Sequence, residues 1–179
     1  MATFILFWNP SISSFKLSEC REFLSVRPDY YDFNWSVWEH QKAAPGDRFY
    51  MIRCKNKPVP GQLNKWGKQL WEPCIDETTG ICMAGQFKSN PWKGEDWSGK
   101  GRETFYVDLW IDHMADPDKC IIVPTAELME AIPEFDWKGG HSGRVIDEPL
   151  AEKLEAIFAK AVEQKKDNIW SPEFRVLID

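Results

Sequence analysis

Tryptophan is the residue type in this chain with the clearest potential for chemistry. Ten of the 179 residues are tryptophan, and several of them have polar neighbours. A flat aromatic side chain in a polar setting can stack on a nucleobase, and each such stack contributes about 1–3 kcal/mol. In segment 34–40, Trp35 and Trp38 lie three residues apart, just before an apolar segment at 48–52. This spacing can place one indole in the core and the other in a pocket wall, although both indoles could equally belong to the core.

Catalytic patterns are weak by comparison. Segment 94–100 has the glycine and lysine spacing of a phosphate-binding loop, but Gly101 stands where the magnesium-binding hydroxyl is needed. Asp108 and Asp112 would lie about 13 Å apart along a strand, too far to share one cation. The five cysteines and three histidines lack the spacing of a disulfide framework or a zinc site. The sequence therefore predicts no catalytic residue, no metal and no cofactor, with an enzyme of unrecognised type as an alternative.

The charge distribution leaves room for nucleic acid despite a net charge of -6. Residues 48–102 contain ten Lys and Arg against five Asp and Glu, whereas the segments on either side are acidic. A local basic patch can contact phosphates even when the whole chain is acidic. The candidate phosphate contacts are Lys88, Lys93, Lys100 and Arg102. A solvated face with no ligand is the alternative for the same residues.

Length and composition predict one globular domain over residues 1–179. Hydrophobic residues make up 43% of the chain, while the mean hydropathy is -0.46 and no long apolar run is present. This composition excludes a disordered chain and predicts no membrane span. The apolar start lacks a cationic residue and ends at Asn9-Pro10, so it reads as a first strand rather than as a signal peptide. With cysteines expected to be reduced, we expect a cytoplasmic protein.

Apolar periodicity predicts an α+β class. Strands are predicted at residues 3–8, 33–38, 48–53, 80–88 and 103–113. Helices are predicted at residues 17–24, at 125–132 with Thr125 as cap, and after Asp147, and an edge strand is predicted at 174–178. Residues 89–101 are expected to form a loop. Residues 54–79 are expected to form a long insertion whose Trp66 and Trp71 cover the barrel.

The strand predicted at 103–113 has two distinct faces. Side chains alternate between the faces of a strand, so its odd-numbered and even-numbered residues separate. The inward face is predicted to hold Phe105, Val107, Leu109 and Ile111, and Ile52 is expected in the same core. Asp108 and Asp112 then lie on the outward face.

The order of several short motifs resembles a known family. The motifs are Phe7-Trp8-Asn9-Pro10, Trp35-Ser36-Val37-Trp38, the segment 45–52, Gly80-Ile81-Cys82-Met83-Ala84-Gly85, Tyr106-Val107-Asp108-Leu109, Ile122-Val123-Pro124 with Leu128, and Trp137 with Ser142-Gly143. Together they resemble the EVE domain, a member of the PUA-like superfamily that also includes the YTH domain. The resemblance covers most of the chain apart from residues 54–79 and the C-terminal tail. Glu39 and His40 depart from it, because many relatives have glycine or small polar residues there.

The resemblance implies a PUA-like mixed β-barrel with flanking helices and an aromatic pocket for a modified base. Trp38 matches an indole that forms part of the pocket in YTH domains, and Trp35 is the second wall by the same comparison. The implied partner is DNA or RNA carrying a modified, in particular methylated, base. Two alternatives remain: a targeting subunit of a nuclease or modification enzyme, and a protein-binding adaptor that uses exposed tryptophans.

The chemistry of base recognition suggests further candidates. Extruding a base from a duplex costs a few kcal/mol, so more than one aromatic wall is needed for useful affinity. Trp8 is a third candidate wall. The polar edge of the base could be read by Asn9, Ser36 and Asp108, since a carboxylate accepts a hydrogen bond from an exocyclic amino group. For each of these polar residues, a purely structural role in a turn or strand is the alternative.

Overall fold

A computed structural model describes residues 1–10, 13–30, 32–54, 79–96, 99–138 and 140–175. Within these ranges one mixed sheet contains β1 (Thr3–Trp8), β2 (Phe33–Ser36), β3 (Arg48–Arg53), β4 (Gly80–Phe87), β5 (Trp92–Glu95), β6 (Glu103–Met114), β7 (Val123–Pro124) and β8 (Arg144–Ile146). The strand order is β2-β6-β4-β3-β1-β8, with β5 beside β6 and β7 beside β4. Only the β1–β3 pair is parallel among the strand pairs of these ranges.

The sheet curls so that its two outer strands meet at one end. Just after β2, the amide of Trp38 donates to Ser142 O at 2.9 Å, and the amide of Glu39 donates to Gly143 O at 3.0 Å. Residues 142 and 143 immediately precede β8, at the other end of the strand order. We call this junction the seam. It makes the curled sheet a partial barrel, and the α+β class expected from the sequence is confirmed.

The central strands are buried on both faces. In β1, Phe4, Leu6 and Trp8 belong to a cluster inside the barrel, whereas Ile5 belongs to a second cluster on its outer side. In β3, Phe49 and Met51 belong to the inner cluster, whereas Tyr50 and Ile52 belong to the outer one. Burial on both faces explains why these strands are apolar at almost every position.

The helices of the described ranges are α1 (Leu17–Ser25), α2 (Thr125–Ala131), α3 (Glu148–Lys165) and α4 (Pro172–Arg175), with short 3-10 turns at Pro28–Tyr30, His40–Lys42 and Lys166–Asn168. Three of these four helices, α2, α3 and α4, cover the outer cluster, whereas α1 packs against the inner one. As predicted, α3 begins after Asp147 with proline in its first turn and buries Leu154 and Phe158. Among the described residues, no helix is both long and apolar enough to cross a membrane.

Three predicted elements differ from the structure. The strand predicted at 33–38 ends at Ser36, because residues 38 and 39 form a turn. Thr125 is the first residue of α2 rather than its cap, because Pro124 holds the extended N-cap conformation. The predicted strand at 174–178 is helical in its first two residues, which end α4, and its other three residues lie outside the described ranges. Proline at the first position of α4 favours a helical start, since its fixed φ suits the first turn.

Strand β6 follows the predicted alternation and then departs from it. Val107, Leu109 and Ile111 are buried, and so is Ile52, as predicted. The pairing with β4 shifts between Ala84 and Gly85, so that β6 contains one extra residue there. This bulge moves the next buried position to Met114. A Cβ at Gly85 would lie 1.9 Å from Trp110 O, which explains why glycine stands at the bulge.

Phe105 is half-buried rather than part of the core. Its ring stacks on the His40 imidazole with centroids 3.7 Å apart and planes 11° apart. The other departure is β5, which lies within residues 89–101 where a loop was predicted. The predicted insertion at 54–79, with Trp66 and Trp71, lies outside the described residues except for its two end positions.

Candidate nucleic-acid interface

Trp38 projects from the outer side of the barrel. The amide of Val37 donates a hydrogen bond to Phe105 O on β6 at 2.9 Å. The next amide, that of Trp38, donates to Ser142 O, on the other side of the chain. Trp38 and Glu39 form the turn that follows β2, and these hydrogen bonds hold the turn to β6 on one side and to residues 142 and 143 on the other. Val37 is buried, whereas Trp38 is 59% exposed. For Trp38, the alternative interpretation as a core residue is wrong.

One face of the Trp38 indole carries a second ring. The imidazole of His141 stacks on it with ring centroids 3.8 Å apart and planes 13° apart. His141 is itself exposed. The sequence did not predict this contact, because His141 lies far from Trp38 in the chain and no spacing links the two.

The backbone beside His141 is held firmly to the barrel. Phe7 N donates to Ser142 Oγ, and Gly143 N donates to Ile5 O, each at 2.9 Å. Gly143 has a φ of +88°, and a Cβ there would lie 2.5 Å from Val37 Cα. Only glycine fits this position without displacing the seam. His141 is thus attached to a fixed support.

Trp35 lies on the opposite side of the barrel wall from Trp38. It is half-buried, pairs with Val107 and packs against the inner cluster. Its Nε1 donates to Phe7 O at 3.2 Å, and its ring meets that of Phe15 edge-on. The structure therefore brings Trp35 and Trp38 to the same end of β2 but directs them to different faces.

Trp8 was predicted to be a pocket wall, and the structure places it in the core instead. Its exposure is 0%. Its Nε1 donates to Phe15 O at 2.8 Å, and the two rings lie 5.1 Å apart. The indole is thus enclosed within the barrel, with its polar atom satisfied by the backbone, and has no accessible face for a base.

The predicted edge-reading residues do not form one group. Asn9 is half-buried directly after β1, and its carbonyl accepts a hydrogen bond from Ser13 N at 2.8 Å. Ser36 and Asp108 lie on the outer face of the sheet, opposite to Trp35. Asp108 Oδ1 accepts a hydrogen bond from Trp92 Nε1 at 3.0 Å. The carboxylate of Asp108 therefore orients an indole, which sequence reasoning did not foresee.

Further aromatic residues share this outer face. Trp92 of β5 stacks on Tyr106 of β6 with centroids 4.9 Å apart, and Ser36 of β2 completes the same cross-strand row. Trp110 lies farther along β6 and is 48% exposed. We call Trp38, Trp92, Tyr106 and Trp110 the outer aromatic face. The polar, glycine-containing sequence of β5 gave no apolar alternation by which to place Trp92 on a strand.

No family assignment comes from similarity. No protein-family model matches the chain, and no curated protein resembles it in sequence. The function must therefore be argued from the geometry of the outer aromatic face and the seam.

The four predicted phosphate contacts are exposed but separated. The amide of Lys88 donates a hydrogen bond to the carbonyl of Asp108. The ammonium of Lys88 lies 3.9 Å from the carboxylate of Asp32. Lys93 pairs with Glu103 at 2.7 Å. Lys100 and Arg102 lie between β5 and β6, at the end of the sheet where Val37 meets Phe105. Lys100 and Arg102 therefore lie toward the same end of the sheet as Trp38, as does Lys93, whose register partner on β6 is Phe105.

Glu39 links the two sides of the seam. Its Oε2 accepts a hydrogen bond from Val145 N of β8, and its Oε1 pairs with Lys42, each at 2.6 Å. Burial of the Glu39 carboxylate acts to raise its pKa. The hydrogen bonds from Lys42 and from the Val145 amide have the larger combined effect, so the pKa of Glu39 is lowered. The ionised form is therefore favoured by folding.

Replacing Glu39 with glutamine is expected to lower the free energy of unfolding at pH 7 by at most about 1 kcal/mol, because the pair is partly exposed. A depressed folded pKa contributes stability above the unfolded pKa of about 4.3, and that contribution is lost as the pH falls through the folded pKa. Urea titrations of both proteins from pH 7 to pH 3 should therefore converge at low pH. Glu163→Gln removes an exposed carboxylate that also pairs with a lysine, and it should show a smaller difference. A difference independent of pH would contradict the role of the charge.

Proposed function

We propose that this chain is a non-catalytic module that binds DNA or RNA carrying a modified, in particular methylated, base, with the base stacked on Trp38. The observation that carries the proposal is the exposed indole of Trp38 on a turn that backbone hydrogen bonds hold at the seam. A base–aromatic stack contributes about 1–3 kcal/mol and tolerates any base, so Trp38 supplies affinity. The exposure of so large an apolar side chain has a ready explanation if a ligand covers it.

A PUA-like fold and membership of the EVE family are part of the same proposal. The partial barrel with helices on its outer side supports them, together with the order of the motifs that contain Trp8, Trp38 and Gly143. Selectivity for a methyl group requires an apolar wall near the stacked base, and one such group changes affinity by about 1–3 kcal/mol. Trp35 faces the inner cluster, so it cannot be that wall; Tyr106, which pairs with Ser36 on the outer face, offers a ring on the same face as Trp38.

The test is a binding panel. Single- and double-stranded oligonucleotides of one sequence, each with a central methylated, hydroxymethylated or unmodified base, are titrated with the protein and followed by fluorescence anisotropy. The proposal expects the tightest binding for one modified base and weaker binding as salt increases. Equal affinity for modified and unmodified strands, or no binding to any member of the panel, would reject it.

The double substitution Lys100→Ala and Arg102→Ala is expected to weaken oligonucleotide binding to the same extent for modified and unmodified bases. Each lost phosphate contact should reduce the slope of log affinity against log salt by about 0.7 to 0.9. Anisotropy titrations at four salt concentrations measure that slope. Lys153→Ala with Lys160→Ala, on the exposed side of α3, makes the same charge change elsewhere. If both double variants behave alike, residues 100 and 102 form only a solvated surface.

A protein-binding adaptor is the second candidate, favoured by the exposure of Trp92 and Trp110 on the outer aromatic face. Large exposed apolar residues at one surface are typical of protein interfaces. The two functions differ in which tryptophan matters. Trp92→Ala with Trp110→Ala would leave base binding intact in the reader, whereas an adaptor would bind no oligonucleotide at all.

A further inference from the structure

The Trp38–His141 stack leaves half of the indole available. A ring stacked at 3.8 Å covers one face of the indole, and Trp38 nevertheless retains 59% exposure. The exposed part therefore includes the face opposite to His141. A base can reach that face without displacing the imidazole.

The backbone on both sides of His141 is held in place by its neighbours. Ser142 and Gly143, which follow His141, are fixed by the amide of Phe7 and the carbonyl of Ile5. On the other side of His141, Gly140 has a φ of +85°, and a Cβ there would lie 2.8 Å from Arg144 Nε. Arg144 in turn donates to Asp136 O at 2.6 Å. The support beneath the Trp38 ring is thus connected to β1 and β8.

We propose that His141 is a positioning residue for base recognition: it fixes the Trp38 indole so that base, indole and imidazole form a three-layer stack. This inference rests on the proposed function. An exposed tryptophan that no neighbouring ring contacts loses rotamer freedom when a ligand binds, and that entropic loss reduces affinity. An indole that is already stacked on His141 before binding has less rotamer freedom to lose. His141 acts through Trp38 and does not itself contact the base.

The first test is made on the free protein. The order parameter of the Trp38 Nε1–H bond, measured by ¹⁵N relaxation, should fall in His141→Ala and be restored in His141→Phe, which keeps a flat ring. The indole of Trp92 is the internal reference, because Asp108 holds its Nε1 independently. An unchanged Trp38 order parameter in His141→Ala would overturn the inference, whatever the protein binds.

The second test uses single-stranded pentanucleotides with a central methylated base, titrated by anisotropy. His141→Ala should weaken binding by roughly 2- to 12-fold, the equivalent of the about 0.5–1.5 kcal/mol for immobilising one side chain. His141→Phe should restore the affinity, and thermal melting of both variants checks that they fold. If His141→Ala binds more tightly, the imidazole competes with the base and the inference is wrong.

The two proposals fail in different ways. If neither the pentanucleotides nor any single- or double-stranded member of the panel binds to the unsubstituted protein, the proposed function fails and the role in base recognition fails with it, even with an ordered Trp38 ring. If a methylated pentanucleotide binds equally well to the unsubstituted protein and to His141→Ala, the proposed function stands and the positioning role is rejected. Loss of binding in both His141→Ala and His141→Phe would indicate a polar contact by His141 in place of the stack.

Discussion

Replacing Trp38 with alanine is expected to weaken binding of a modified-base oligonucleotide by roughly 5- to 150-fold, the equivalent of about 1–3 kcal/mol of lost stacking. The fold should survive, because the indole is 59% exposed and its removal leaves no cavity in the core. The expected signature is therefore a large loss of affinity at a nearly unchanged melting temperature. Anisotropy titration and thermal melting of the same sample measure both quantities.

Trp110→Ala is the matched control for Trp38→Ala. It removes another exposed indole from the outer aromatic face, but one that lies on β6 away from the seam. Its expected effect on base affinity is small. Equal losses in the two variants would point to general contact with aromatic side chains and against a stacking position at Trp38. A large fall in melting temperature for Trp38→Ala would contradict its placement on the outside.

Substitution of Trp8 by alanine should instead lower stability and leave the affinity for oligonucleotides unchanged. Trp8→Ala is expected to cost about 3–5 kcal/mol of the free energy of unfolding, because a fully buried indole is replaced by a cavity. The carbonyl of Phe15 also loses the hydrogen bond from Trp8 Nε1, which adds to the cost. Urea denaturation followed by far-ultraviolet circular dichroism measures the change.

Trp8→Phe provides the comparison for Trp8→Ala. Phenylalanine keeps much of the ring volume but cannot donate to Phe15 O, so its smaller loss separates the hydrogen bond from the cavity. The fraction of Trp8→Ala that remains folded should bind oligonucleotides with the original affinity. A loss of affinity without a loss of stability would indicate that Trp8 belongs to the binding surface and would contradict its burial.

The sequence predicted the elements whose faces differ clearly in polarity. The buried Val107, Leu109 and Ile111 of β6 were predicted because apolar residues recur there with a strand period, and the start of α3 after Asp147 was predicted from its cap and proline. In β1, by contrast, almost every residue is apolar, so alternation could not assign Trp8 to one face. Burial of both faces removes the signal that separates an inner from an outer side chain.

The candidate site was predicted less completely because it depends on contacts between distant parts of the chain. Trp38 was identified from its local spacing and from the resemblance. Its partner His141 reaches it only when the barrel closes, and no local pattern encodes that contact. Strand β5 was missed for a related reason: it is short and polar, and its pairing with β6 rather than its own composition defines it.

The seam is a place where the barrel can open locally. Neighbouring strands are held by ladders of paired residues, whereas here the two sides meet through the amides of Trp38 and Glu39 and through the Glu39 carboxylate. Such a junction can open at a smaller free-energy cost than the whole barrel. Under the proposed function, only the closed form would present Trp38 on its support, and apparent affinity would scale with the closed fraction. A bound base would in turn slow hydrogen exchange at the amides of Trp38 and Glu39. Binding of a base would then be coupled to closure of the barrel at the seam.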